Sequence, residues 1–228
     1  MYKVECRKLI ASPFFLLSVI ALYFVILLGI RDFYPENEIS SMLETGMGRI
    51  GLTSLPFLTT MPTAWFASEE TICTHYYQLI RSNLKSFING KLISSLLSSI
   101  LIVLSSTFIY TLTMILTGHP IGDGRFSYEG TNLLLLKHLV ENNHYWLHYM
   151  CHILVFSVIA TLSPWISLIA STFTKNRYII FLAPFVVIRF LDVFGDLTGY
   201  FWIKPSHYRL SGTNIYELGT VSYTHLTL

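Results

Sequence analysis

The amino-acid sequence is dominated by apolar blocks, each about as long as the hydrocarbon core of a bilayer, which a helix of about 20 residues crosses. Of the 228 residues, 53% are hydrophobic and only 12% are charged, against roughly a quarter charged in an ordinary soluble domain. Such a chain has too little polar surface to cover itself in water. We therefore predict an all-α fold, a polytopic transmembrane helical bundle forming a single domain over residues 1–228. The five predicted spans cover about residues 13–30, 51–67, 92–116, 147–172 and 177–194.

The first twelve residues differ from the blocks that follow. They place Val4, Leu9 and Ile10 among basic residues, a pattern that favours a short helix lying in the membrane interface before Pro13 starts the first span. A basic start followed by an apolar run is also typical of a secretory signal peptide. Here the run is as long as a full span and no A-x-A cleavage site follows it, so we predict a retained helix.

The distribution of lysine and arginine predicts the orientation. With a cytoplasmic N-terminus, the inside segments are 1–12, 68–91 and 173–176, and the outside loops are 31–50 and 118–146. The inside segments hold Lys3, Arg7, Lys8, Arg81, Lys85, Lys91 and Lys175, and the longer outside loops hold Arg31, Arg49, Arg125 and Lys137. Because cytoplasmic loops carry the excess of positive charge, we predict that the N-terminus is cytoplasmic.

The predicted cytoplasmic loop 68–91 is too polar to lie within lipid. Ser68 is a suitable N-cap for a helix with Glu69 and Glu70 in its first turn, where carboxylates favour the positive end of the helix dipole. Apolar residues then recur at steps of three and four, as on one face of a helix: Ile72, Tyr76, Leu79, Ile80, Leu84, Phe87 and Ile88. Two interpretations stay open, a helix that docks a partner protein and a helix that lies against the lipid headgroups.

The order of these features resembles that of the type-2 ABC exporter permeases, over roughly residues 1–203. In that family an interfacial helix, a first span and an outer loop precede a second span that runs into an acidic loop. The loop pattern is an acidic pair, a hydroxyl residue, an apolar stretch, a basic residue near a serine, and Gly-Lys. The residues here are Glu69, Glu70, Thr71, Leu79, Ile80, Arg81, Ser82, Gly90 and Lys91. The sequence departs from the pattern at Ile72, where glycine is frequent, and in the aromatic cluster His75, Tyr76 and Tyr77.

The resemblance implies that loop 68–91, Tyr76 included, is a coupling helix that contacts a separate ABC ATPase subunit. It further implies a second permease subunit, a bacterial cytoplasmic membrane, a drug, peptide or lipid-like substrate, and no nucleic acid partner. The chain itself would be no enzyme and would hold no cofactor, metal or catalytic residue. A P-loop needs Gly-Lys followed by Ser or Thr, whereas Gly90-Lys91 is followed by Leu92.

The C-terminal region does not complete the family pattern, which has a sixth span after a short outer hairpin. Residues 195–203, with Gly195 and Gly199, are candidates for part of that hairpin, but no apolar run of sufficient length follows. The last eight residues, 221–228, read VSYTHLTL and look like a translated sequencing adapter. We expect the natural protein to continue into a sixth span.

Two other groups of residues carry potential chemistry. His144, His148 and His152 recur every four residues on one helical face, which suits a metal or haem, although interfacial histidines beside aromatic residues are more common. Arg189 and Asp192 are helix neighbours at membrane depth, which indicates either a functional pair or mutual charge compensation.

The remaining features favour no catalytic site. Cys6, Cys73 and Cys151 have neither metal-ligand spacing nor the pattern of a disulfide framework. We interpret the serines of the third span as a close helix-packing surface.

Two alternative functions remain. An intramembrane CAAX-type protease has an acidic pair followed by x-x-x-Arg, but Thr74 stands at that position here. A non-transport membrane subunit or sensor is the other alternative, because a permease has no reactive residues by which to recognise it.

Overall fold

A computed structural model describes residues 2–30, 39–47, 52–69, 84–120, 142 and 144–200 of the chain. Within these residues every regular element is helical, in agreement with the predicted all-α fold. The helices are α1 (Tyr2–Ile10), α2 (Pro13–Ile30), α3 (Ile39–Gly46), α4 (Leu52–Glu69), α5 (Leu84–Leu116), α6 (Tyr145–Phe173) and α7 (Arg177–Thr198).

Four of the described helices are long and apolar enough to cross a membrane. They are α2, the segment Phe87–Leu116 of α5, α6 and α7. They are compatible with the predicted multi-pass membrane protein. Helix α4 forms where the second span was predicted, but it is not among the four because its 18 residues include four threonines and two prolines. The count of five spans therefore stays a prediction.

Helix α4 is surrounded by its neighbours. It packs against α2, α6 and α7, and to a smaller extent against α1 and α5. One result is that Leu55, Thr59, Thr60, Thr63 and Ala64 are all buried. The Thr59 hydroxyl donates to the carbonyl of Leu55 at 2.8 Å, and Thr60 donates similarly to Pro56. Bonds of this kind within the helix reduce the cost of burying the hydroxyls of Thr59 and Thr60.

The bundle is apolar outside and rich in hydroxyl groups inside. Large apolar side chains are exposed on all four long helices, for example Leu16, Phe24, Phe108, Leu154, Val158, Val186, Phe190 and Val193. With the exception of Asp192, the buried polar side chains in the described part of the chain are serines and threonines. Many donate to a carbonyl of their own helix, as Ser106 and Ser157 do at 2.8 and 2.7 Å. An apolar exterior of this kind suits lipid rather than water.

The serines of α5 lie where the sequence interpretation placed them, at the helix contacts. Of the six serines in the predicted span 92–116, five are buried, namely Ser94, Ser95, Ser98, Ser99 and Ser106. Helix α5 packs against α1, α2 and α6. Because small side chains let backbones approach closely, this stripe allows α5 to contact three helices at once.

Two predicted helix boundaries were wrong at the loop 68–91. Helix α4 continues through Ser68 to Glu69, so Ser68 does not cap a new helix and Glu69 lies in a last turn, not a first turn. Helix α5 begins at Leu84, eight residues before the predicted start at 92. In both helices the hydrogen-bonded backbone continues beyond the apolar residues that defined the predicted span. Lys85, in the first turn of α5, is exposed.

The predicted outer hairpin at 195–203 was also wrong at its start. Helix α7 runs through the buried Gly195 to Thr198 and is capped by Gly199, whose φ of 72° lies in the left-handed region. A glycine adopts this conformation without the steric cost that other residues incur. Gly199 therefore ends the helix, and residues 201–203 lie outside the described residues.

The sequence analysis missed α3, which lies within the predicted outer loop 31–50. Ile39, Met42, Leu43 and Met47 are all buried, and α3 packs against α2. The two helices touch at a pair of glycines. A Cβ atom on Gly29 would lie 2.7 Å from the carbonyl oxygen of Gly46, so only glycine fits at this crossing.

Candidate functional site

The predicted coupling residues fall partly within the described chain. Glu69 is the last residue of α4, and Gly90 and Lys91 lie in the second turn of α5. The others lie outside the described residues: Glu70, Thr71, Tyr76, Leu79, Ile80, Arg81 and Ser82. The structure therefore describes the two helix ends between which the connection 70–83 runs. We refer to the end of the bundle where α4 ends and α5 begins as the loop end, and to the opposite end as the far end.

Three helices are joined at the loop end by the side chain of Trp65. This residue lies one turn before the end of α4, and its ring centroid is 4.3 Å from that of Phe14 at the start of α2. The guanidinium carbon of Arg177, the first residue of α7, lies 4.9 Å from the Trp65 ring centroid. A guanidinium over an aromatic face is attracted by the ring electrons, typically by about 0.5–1 kcal/mol at an exposed site. These contacts hold the end of α4 in place.

The start of α5 is held by a separate set of contacts. Phe87 is buried, and the Nζ atom of Lys91 lies 4.8 Å from its ring centroid. The indole Nε1 of Trp165 in α6 donates to the carbonyl of Leu92 at 3.2 Å. Helix α1 packs along α5 and more weakly against α2 and α4. The two ends of the connection 70–83 are therefore each fixed to the bundle.

Basic residues are grouped at the loop end. Arg7 and Lys8 lie in the last turn of α1, Lys85 and Lys91 in the first two turns of α5, and Lys175 and Arg177 at the junction of α6 and α7. All but Lys91 are exposed. The sequence placed these residues in three separate segments, and the fold brings the segments to one end of the bundle.

A groove lies between α5 and α6 on the far half of the bundle. It has a volume of about 780 Å³ and is lined by residues 104–115 of α5 and 146–154 of α6. On its floor the hydroxyls of Thr111 and Tyr149 form a buried hydrogen bond of 2.6 Å. Trp146 lies in the first turn of α6 and is half exposed. The sequence analysis missed this groove because it forms between residues about 40 positions apart, with no local motif.

The histidine stripe is described only at its first member. His144 directly precedes α6 and is exposed, whereas the side chains of His148 and His152 lie outside the description. Among the side chains that are described, no three His, Cys, Asp or Glu residues group closely enough to hold a metal ion. A metal role for the full stripe stays a hypothesis.

Arg189 and Asp192, the ionisable pair predicted in the last span, lie in two different environments. The guanidinium carbon of Arg189 lies 5.6 Å from the ring centroid of Phe185, and its side chain is exposed. Asp192 lies on the face of α7 that packs into the bundle and is 7% exposed. The arginine thus has an aromatic neighbour one turn earlier, and the aspartate belongs to the interior.

These geometries describe helix junctions and an apolar groove, which suit mechanical coupling and the binding of apolar molecules. No protein-family model, curated protein or solved structure matches the chain.

Proposed function

We propose that this chain is the membrane-spanning permease subunit of an ABC exporter, coupling ATP hydrolysis by a separate ATPase subunit to transport of a drug, peptide or lipid-like substrate. The observation that carries the proposal is the arrangement at the loop end. Helix α4 ends at Glu69 and α5 begins at Leu84 at the end where six of the described basic residues are grouped. The polar connection 70–83 therefore begins and ends beside these basic residues, which mark the cytoplasmic side by the positive-inside rule.

Helix α4 is the second span in this proposal. Its threonines and prolines would be costly against lipid, but its buried side chains face α2, α6 and α7 instead. A span enclosed by apolar helices has no need to be apolar itself. The bundle then has five spans, with α1 lying in the cytoplasmic interface.

Coupling in this proposal is mechanical, because no reacting group is required in the permease. Trp65 links the end of α4 to α2 and α7, and the Leu92 carbonyl links the start of α5 to α6. A displacement of the connection 70–83 by the ATPase is therefore transmitted to every long helix. A second permease subunit completes the transport path, and the setting is a bacterial cytoplasmic membrane.

The test is recovery of an ATPase with the affinity-tagged permease from native membranes. Glu69→Ala with Glu70→Ala, or Tyr76→Asp with Ile80→Asp, should recover several-fold less of a P-loop ATPase than the wild type. Carboxylates placed in an apolar docking surface cost several kcal/mol when they are left unpaired. Permease levels in the membrane should remain unchanged, because exposed substitutions usually alter stability by only about half a kcal/mol.

Thr198→Asp is the matched control, since it adds a carboxylate at an exposed position on the far end of α7. It should retain full ATPase recovery. If the loop variants recover as much ATPase as the control does, the connection 70–83 is not the contact. If no ATPase accompanies even the wild type, the chain is a non-transport membrane subunit or sensor and the proposal fails.

A further inference from the structure

We propose that the groove between the far halves of α5 and α6 binds one acyl chain of a membrane lipid. The inference rests on these two helices lying in a bilayer and is independent of any ATPase partner. The proposed acyl chain stays bound in a concave site between two helices. It differs in this from the lipids that exchange rapidly along the convex outer surfaces of the helices.

The lining of the groove has the chemistry of a hydrocarbon site. None of the lining residues that the structure describes is charged. Phe108 and Leu112 stand on its open side and are 69% and 49% exposed, and they continue the apolar exterior of α5. The groove therefore opens sideways toward the region that lipid chains occupy, and an apolar occupant enters it without losing polar solvation.

Of the four hydroxyl groups in the described lining, all but that of Ser105 bond to protein partners. Thr107 donates to the carbonyl of Val103 at 2.7 Å, and the Thr111 hydroxyl lies 2.7 Å from the carbonyl of Thr107. The phenol of Tyr149 shares its 2.6 Å hydrogen bond with Thr111. A polar substrate would find no free partner in these groups, which favours an aliphatic chain over a sugar, a peptide backbone or a phosphate.

The dimensions match one leaflet of a bilayer. The α5 side of the groove covers residues 104–115, which at 1.5 Å per residue is about 17 Å. One leaflet contributes about half of a hydrocarbon core roughly 30 Å thick. The volume of about 780 Å³ lies within the range of small-molecule sites, which is roughly 300–1,000 Å³.

Trp146 fixes the direction of the bound lipid. It lies at the far end of the groove, in the first turn of α6, and it is 51% exposed. Tryptophan prefers the level of the headgroups, because its ring is apolar and its N–H is polar. The headgroup of the bound lipid therefore lies beside Trp146, and its chain runs along α5 toward Leu104 near the middle of the bilayer.

The experiment reconstitutes the full chain in vesicles of phosphatidylethanolamine and phosphatidylglycerol. The probe is phosphatidylcholine with a diazirine near the middle of one acyl chain. After illumination, peptides containing residues 104–115 and 146–154 should carry several-fold more lipid adduct than the exposed apolar face of α7, represented by Val186, Phe190 and Val193. Equal labelling of the two surfaces would mean that only bulk lipid contacts the groove, and the proposal would be overturned.

Filling the groove distinguishes occupancy from mere exposure. Ile109→Trp places an indole within the lining and should reduce groove labelling to the level of α7. Val158→Trp is the matched control on α6, exposed but outside the lining, and should leave groove labelling unchanged.

The same vesicles show whether lipid or a protein segment occupies the groove. A diazirine-bearing amino acid incorporated in place of Leu112 should crosslink to lipid. Crosslinks to another segment of this chain, or to a second copy, would show that protein fills the groove and would overturn the proposal. If Ile109→Trp fails to fold, the wild-type comparison of the groove with the exposed face of α7, together with the Leu112 crosslinks, still decides the outcome.

Discussion

The hydroxyl of Ser167 donates a hydrogen bond of 3.0 Å to the carbonyl oxygen of Ile180 across the contact between α6 and α7. Pro184 stands four residues after Ile180, where a helical residue would supply the N–H donor for that carbonyl, and proline has none. Ser167 and Ile180 are both fully buried. A side chain of α6 thus satisfies the backbone acceptor that proline leaves open in α7, within a bundle where lipid offers no replacement.

Ser167→Ala should lower the free energy of unfolding in detergent by about 1–3 kcal/mol, because it leaves a buried carbonyl without a donor. In a Pro184→Ala background the same change should cost much less, since an alanine in place of the proline restores the helical N–H. Thermal or steric-trapping measurements on the four proteins provide the double-mutant cycle. Ser171→Ala is the control, as its hydroxyl donates only to Leu168 in its own helix. Equal losses in both backgrounds would contradict the assigned role of the serine.

Gly29→Ala should lower the free energy of unfolding by about 1–3 kcal/mol despite the better helix propensity of alanine. The added methyl would lie 2.7 Å from the backbone oxygen of Gly46, which cannot move aside as a side chain could. Leu28→Ala, on the exposed face of the same turn, should change stability by less than about 0.5 kcal/mol. The comparison is made by thermal unfolding of the purified proteins. A Gly29→Ala protein as stable as the Leu28→Ala control would show that α2 and α3 do not cross so closely.

The contact between Trp65 and Arg177 should contribute a coupling free energy of about 0.5–1 kcal/mol. A double-mutant cycle with Trp65→Leu and Arg177→Gln measures it, and Lys175→Gln serves as the matched loss of a nearby exposed charge. We expect Lys175→Gln to be additive with Trp65→Leu. If the effects of Arg177→Gln and Trp65→Leu on the free energy of unfolding are also strictly additive, the contact between the guanidinium and the ring contributes no coupling free energy.

The predicted orientation is tested with single cysteines in a background lacking Cys6, Cys73 and Cys151. In intact cells a membrane-impermeant thiol reagent should label Ser127→Cys in the loop 118–146, and it should label Ser82→Cys only after lysis. The expectation follows from the basic residues grouped at the loop end. The reverse labelling pattern would place the loop end outside and would remove the basis for an ATPase contact there.

Hydropathy was sufficient to predict the long helices because a membrane span is a local property of the sequence. Helix α2 covers the predicted residues 13–30, and α6 and α7 differ from their predictions by at most four residues at either end. Hydropathy failed where a helix extends beyond its apolar part, as α5 does at Leu84. It also failed for α3, whose few apolar residues form no long apolar run and are buried by packing against α2.

The candidate site was predictable only in part, for a similar reason. The acidic and Gly-Lys positions were recognisable along the chain, and the structure places Glu69 at the end of α4 and Gly90 in the second turn of α5. The contacts of Trp65 with Phe14 and Arg177 join residues more than 50 positions apart. No periodicity along the chain predicts a contact between residues so far apart in sequence. These contacts and the groove could therefore be identified only from the structure.

The length of α5 has a consequence for how force travels through the protein. Its 33 residues form one helix about 50 Å long that contains no proline, whereas the hydrocarbon core is about 30 Å thick. Gly90 near the loop end and Tyr110 in the far half are separated by about 30 Å along this helix, so a tilt of about 10° at one moves the other by about 5 Å. Helix α5 is therefore long enough to cross the bilayer as one continuous helix. A displacement of α5 at the loop end would therefore also shift the residues that line the groove in the far half.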